Sequence, residues 1–144
     1  MSLSATATRV GDSYRHEVDV NGRHVITTDE PVNLGGTDAG PAPHELLPAT
    51  LASCISVTVA LYAKRKGWVL EELSVDVDYD TESEPRRFDV TLHLPEGLTT
   101  EQVSRLTRVA EACPVRRALE AGFEFDEKIV SGDDPLAVAA GTPG

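Results

Sequence analysis

The sequence predicts an α+β domain in which helices pack on a mainly antiparallel sheet, and three observations carry that prediction. Segments of alternating apolar and polar residues recur near the start and in the middle of the chain, the period-two signature of half-buried strands. An uncharged stretch, residues 46–63, is too long for a strand and runs on into three cations and a glycine, which is how a helix stops. The resulting order is three strands, a long helix, two strands, a second helical region and a last strand. Strands followed by strands through short turns favour antiparallel pairing.

Each element has its own justification. Residues 5–28 read as strands, with 14–20 and 23–27 flanking Asn21-Gly22, the strongest short hairpin signal. Residues 29–43 are rich in Gly and Pro and must be a loop, and so long a loop in a small domain is often functional. The central helix starts near Glu45, because Pro48 is comfortable only in a first turn. It ends at Lys64-Arg65-Lys66-Gly67. Its eighteen uncharged residues reach the lower limit for a membrane span. Pro48, Thr50, Ser53, Cys54, Ser56 and Thr58 interrupt the apolar run, and no second span follows, so it reads as a fully buried core helix. Small residues along it (Ala49, Ala52, Ser53, Ser56, Ala60) permit close approach by another helix, including its own copy in a dimer.

Residues 73–79 and 88–94 alternate with period two around a turn at Glu82-Ser83-Glu84-Pro85. Thr99 and Gln102 have the spacing of a capping box, opening a helix with Val103, Leu106 and Val109 on one stripe. Cys113-Pro114 breaks that helix and begins a short one ending near Gly122. Residues 123–130 read as the last strand. The prediction is one domain over residues 1–130 and a frayed Gly-, Pro- and Ala-rich tail over 131–144.

Composition bounds the function. The chain has 144 residues, the length of one domain. It is 40% hydrophobic and 26% charged, a globular balance, and its 5% aromatic content leaves the core to Val, Leu, Ile and Ala. Acids outnumber bases 24 to 13, for a net charge of −11. That charge opposes nucleic acid and anionic membranes alike. The N-terminus shows no signal peptide, and two cysteines are too few for a disulfide scaffold, so a reducing cytoplasm is expected.

The cysteines are the candidates for chemistry. Cys54 lies midway along the apolar helix, where a lone cysteine is usually a small buried hydrophobe. Cys113 precedes a proline at a helix start, where N–H groups and the helix dipole are expected to lower its pKa. Glu45 precedes Cys54 by nine residues, about 13.5 Å along the axis and on the opposite side of the helix. It therefore cannot assist that sulfur from its own helix. A compensating charge must come from another segment or another subunit. The four histidines show no metal-ligand spacing with the cysteines, and no phosphate loop or nucleophile elbow occurs. No metal or cofactor is expected.

Two segments resemble a known family. The run Asp29-Glu30-Pro31-Val32-Asn33-Leu34-Gly35-Gly36, continuing through His44-Glu45-Leu46-Leu47 to Leu51-Ala52-Ser53-Cys54, is similar to the OsmC/Ohr signature. Cys113-Pro114-Val115-Arg116-Arg117-Ala118-Leu119 resembles its second cysteine motif. The likeness implies an OsmC-like fold, an intertwined homodimer built on two long central helices, and a thiol peroxidase of the oxidative-stress response acting on organic hydroperoxides. Cys54 would be the peroxidatic cysteine and Cys113 the resolving one, with a dithiol, of lipoyl type in the best-known branch, as reductant. The family holds its thiolate with an arginine paired to a glutamate. The glutamate's place falls on His44, with Glu45 beside it. Arg15 lies in the corresponding hairpin, with Arg9 and Arg23 as alternatives. The chain looks closest to the less characterised OsmC-like branch. The alternative reading is a ligand-binding or redox-sensing dimer of the same fold without turnover.

Overall fold

Asn21 and Gly22 both take left-handed backbone angles (φ 54° and 72°), as the tightest hairpin turns require. They join β2 (His16–Val20) to β3 (His24–Thr28), while β1 (Ala5–Arg9) lies on the other side of β2. These elements come from a computed structural model that describes residues 1–132 and the backbone of 134–140. The later elements are α1 (Leu46–Lys66), β4 (Ser74–Asp80), β5 (Arg87–His93), α2 (Thr100–Glu111), α3 (Pro114–Ala121), β6 (Glu127–Ser131) and β7 (Asp134–Ala140). The architecture is α+β, and every described strand pairing is antiparallel. The strands form three separate sheets, β1-β2-β3, β4-β5 and β6-β7.

The core is built on α1. Leu51, Ile55, Val59 and Ala63 recur every four residues, share one face and are all buried, as helical geometry dictates. Burying each of the three larger side chains stabilises the fold by roughly 1.5–3 kcal/mol. Leu106 of α2 closes the layer, and Val75, Val77, Phe88 and Leu92 pack against it from β4 and β5. The strict alternation of exposure along β4 matches its sequence pattern. Gly67 caps α1 in the left-handed conformation (φ 74°), after Lys64, Arg65 and Lys66. Thr99 accepts from the Gln102 N–H at 3.1 Å, and the Gln102 side chain accepts from the Thr99 N–H at 2.8 Å.

Three expectations change. The central helix is not buried all round: with its preceding turn it is long and apolar enough to cross a membrane, but only the Leu51 ladder lies in the core. Val57 and Leu61 on other faces stay exposed, as does Leu47 one turn before the ladder. On α2, Val103 is 40% exposed and Val109 takes the contact with the core. The last strand begins at Glu127, and the backbone of Asp134–Ala140 pairs with it where a frayed tail was expected. Residues 133 and 141–144 of that tail lie outside the described residues.

The loop between β3 and α1 is knotted around one carboxylate. Asp29, 1% exposed, accepts from the N–H groups of Glu30, Thr37 and Ala39 and from the Thr37 hydroxyl at 2.7 Å. Gly36 makes the knot possible, since a Cβ there would lie 1.9 Å from the Glu30 carbonyl oxygen. The loop ends in a short 3-10 turn, Pro43–Glu45, that delivers the chain into α1.

Candidate functional site

Cys54 precedes Ile55 on α1, so its side chain lies on the shoulder of the buried ladder and is half-buried. Cys113 stands at the N-cap of α3 and is fully buried. Both are free thiols. Packing of α3 on α1 brings them together, and each sulfur shifts the acidity of the other, Cys54 down and Cys113 up. The first turn of α3 also brings the Val115 N–H to the Cys54 sulfur, and Thr58 Oγ1 lies 4.0 Å from it while its hydroxyl donates to the Cys54 carbonyl oxygen at 2.7 Å.

This arrangement orders the two thiols. Burial pushes the Cys54 thiol up, but the hydrogen bonds from Cys113, Val115 and Thr58 outweigh it and leave Cys54 below its ordinary value. Cys113 moves the other way: burial and then the hydrogen bond to Cys54 push it up, more than the N–H groups of Arg116 and Val115 bring it down. Cys54 is therefore the more acidic of the two thiols. The expectation of a lowered Cys113 is overturned, because full burial disfavours its charged form. The helix start still stabilises a thiolate, but the one it serves belongs to α1.

Cys54 opens into a depression of about 480 Å³ lined by Ala49, Thr50, Ser53, Val57 and Val115. Its walls are apolar apart from two hydroxyls. Cys113 is not part of the lining, so a molecule arriving from solvent meets Cys54 first and Cys113 only behind it.

The other expected site residues lie elsewhere in the chain. Arg15 is exposed in the β1–β2 turn, where its backbone bonds Val10 and Ser13. Arg9 is committed to the same turn through the carbonyl oxygens of Ser13 and Asp12. Glu45 turns back to accept from the Ala42 N–H at 2.9 Å. His44 meets Tyr79 edge-on at 5.3 Å, and Tyr79 stacks on Phe88. None of these lines the Cys54 pocket, and among the described residues its lining holds no charged side chain. Thr58 and the Val115 N–H were not anticipated. Thr58 was findable, four residues after Cys54 on one helix, whereas Val115 depends on how α3 packs.

Comparison with known proteins places this geometry. A family model described as OsmC-like protein matches residues 36–128, which include both cysteines. No curated protein matches the sequence. Among solved structures, the chain resembles an OsmC-like protein from Mycoplasma pneumoniae with a TM-score of 0.67 at 20% identity, over 83% of this chain and 88% of that one. An organic hydroperoxide resistance protein from Elizabethkingia anophelis gives 0.60 at 26% identity, over 85% and 90%. An OsmC-like protein of unknown function from Vibrio cholerae gives 0.61 at 15% identity, over 81% and 92%. With the family model spanning well over half of its length, and its fold shared with these structures, the chain belongs to the OsmC-like protein family.

Proposed function

We propose that this protein is a cysteine-based peroxidase that reduces organic hydroperoxides through a Cys54/Cys113 thiol–disulfide cycle, working as a homodimer. One observation carries the reading: of two neighbouring thiols, Cys54 faces an apolar pocket and Cys113 is fully buried behind it. The Cys54 thiolate attacks the hydroperoxide, the O–O bond breaks, and the alkoxide leaves and takes a proton from water to become the alcohol. Cys54 is then a sulfenic acid. The Cys113 sulfur displaces its oxygen as water, forming the disulfide, and a dithiol such as a lipoyl group restores both thiols by exchange. An apolar pocket favours an organic peroxide over hydrogen peroxide, and relatives named for organic hydroperoxide resistance share the fold. A reducing cytoplasm would keep the pair ready between turnovers.

Mixing reduced protein with one equivalent of cumene hydroperoxide tests the cycle. Fast loss of two thiols with a mass decrease of two hydrogens is expected, followed by repeated turnover when dihydrolipoamide is added. Oxidation no faster than that of free cysteine would instead assign the pocket to ligand binding without turnover.

The homodimer is supported by what one chain leaves uncovered. Val57 and Leu61 of α1 are 53% and 54% exposed, and Val25 and Ile26 of the N-terminal sheet are exposed as well. The extensive contacts of β1, β2 and β3 lie within their own sheet. A second copy laid along α1 covers such a face and lets the N-terminal hairpin, Arg15 first among its arginines, approach a Cys54 pocket. Sedimentation equilibrium is expected to give twice the 15.4 kDa chain mass. A mass equal to one chain would overturn the dimer.

A further inference from the structure

We propose that Thr58 is a hydroxyl switch for Cys54: it donates to the Cys54 carbonyl oxygen while the side chain is a thiol, and turns to donate to Sγ when the thiolate forms. The inference deepens the peroxidase reading and rests on its choice of Cys54 as the reacting sulfur. Thr58 Oγ1 lies 2.7 Å from the Cys54 carbonyl oxygen and 4.0 Å from Cys54 Sγ, so one oxygen reaches both. Redirecting its proton needs only rotation about the C–O bond. The carbonyl is not orphaned by the change, because the Thr58 N–H bonds it in the ordinary helical ladder of α1.

A threonine in a helix often bonds the carbonyl four residues back without further purpose. Thr107 does so with Val103 at 2.8 Å, on the exposed side of α2 with no nucleophile beside it. Thr58 differs in having a sulfur as its second neighbour, in a half-buried place where water substitutes poorly for a lost donor. A charged acceptor strengthens and shortens such a bond, so a contact that is long to the thiol tightens on the thiolate. The same donor then remains beside the sulfur as it becomes a sulfenic acid. Within one chain the titratable group that acts on Cys54 is Cys113 on α3, and any arginine supplied by a second copy acts alike in wild type and in both Thr58 variants.

The test is the pH dependence of iodoacetamide alkylation at Cys54, located by peptide mass, in wild type, Thr58→Val and Thr58→Ser. Valine keeps the shape and removes the hydroxyl, and serine keeps the hydroxyl. The midpoint is expected to rise by at least about half a pH unit in Thr58→Val, a loss of about threefold in thiolate below the midpoint, and to stay near wild type in Thr58→Ser. Far-ultraviolet circular dichroism reports whether α1 is intact in both. An unshifted midpoint in Thr58→Val, or equal shifts in both variants, overturns the switch. Alkylation does not depend on peroxide chemistry, so these results stand apart from the peroxidase reading: a shifted profile in a protein that does not consume hydroperoxide would overturn the enzyme and leave the switch.

Discussion

Cys54→Ser is expected to lower hydroperoxide consumption by at least about a thousandfold, because an un-ionised serine hydroxyl is a far weaker nucleophile than a thiolate. Cys113→Ser is expected to behave differently. Its hydroxyl can stand in for the thiol as a donor to the Cys54 sulfur, so the first oxidation proceeds within a few-fold of wild type. With no second sulfur the reaction stops at the sulfenic acid. Intact mass then shows one added oxygen, and dimedone traps it; excess peroxide carries it to the sulfinic acid. Slowing of that first oxidation in Cys113→Ser to the level of Cys54→Ser would overturn the assigned order of the two thiols. The asymmetry follows from burial: Cys113 is 0% exposed, and the pocket opens on Cys54 alone.

Asp29→Ala is expected to lower the melting temperature by more than about 10 °C, since removal of one carboxylate strands three backbone N–H groups and a hydroxyl at once. The consequence reaches the site through the backbone. The loop that Asp29 closes feeds the turn at Pro43–Glu45, and that turn sets the start of α1, including pocket residues Ala49 and Thr50. The hydroxyl of Thr37 and the N–H groups of Ala39, Glu30 and Thr37 hold the Asp29 carboxyl down to about 2, against 3.8 ordinarily. A carboxyl whose pKa is lower when folded than when unfolded stabilises the fold fully above its unfolded value. That stabilisation is lost as the pH falls toward the folded value. Wild type should therefore lose stability between about pH 4 and pH 2 in a thermal melt series, and Asp29→Asn, which cannot ionise, should be less stable at neutral pH and flatter across that window. An identical acid slope in Asp29→Asn would show that another carboxylate governs acid unfolding.

Several features were legible because they are local. Asn21-Gly22 sits at its hairpin, Lys64-Arg65-Lys66-Gly67 ends its helix, and Thr99 with Gln102 starts the next. In each case the signal and the structure involve residues within a turn of one another. The central helix was legible in length and nearly in its ends. The knot on Asp29 was not, because its partners Thr37 and Ala39 lie eight and ten residues away and no periodicity joins them. The final strand pairing was missed for a different reason: the small residues after Ser131 read locally as a tail, while the partner strand supplies the ladder.

The sequence by itself determined the α+β class, the family resemblance and the two cysteines, since those depend on residue type, spacing and short-range geometry. Only the tertiary structure decided which thiol is the more acidic, which face of α1 is buried, and that the Val115 N–H reaches the Cys54 sulfur. Burial and hydrogen bonding between elements far apart in the chain set all three, and neither quantity exists until α3 packs on α1.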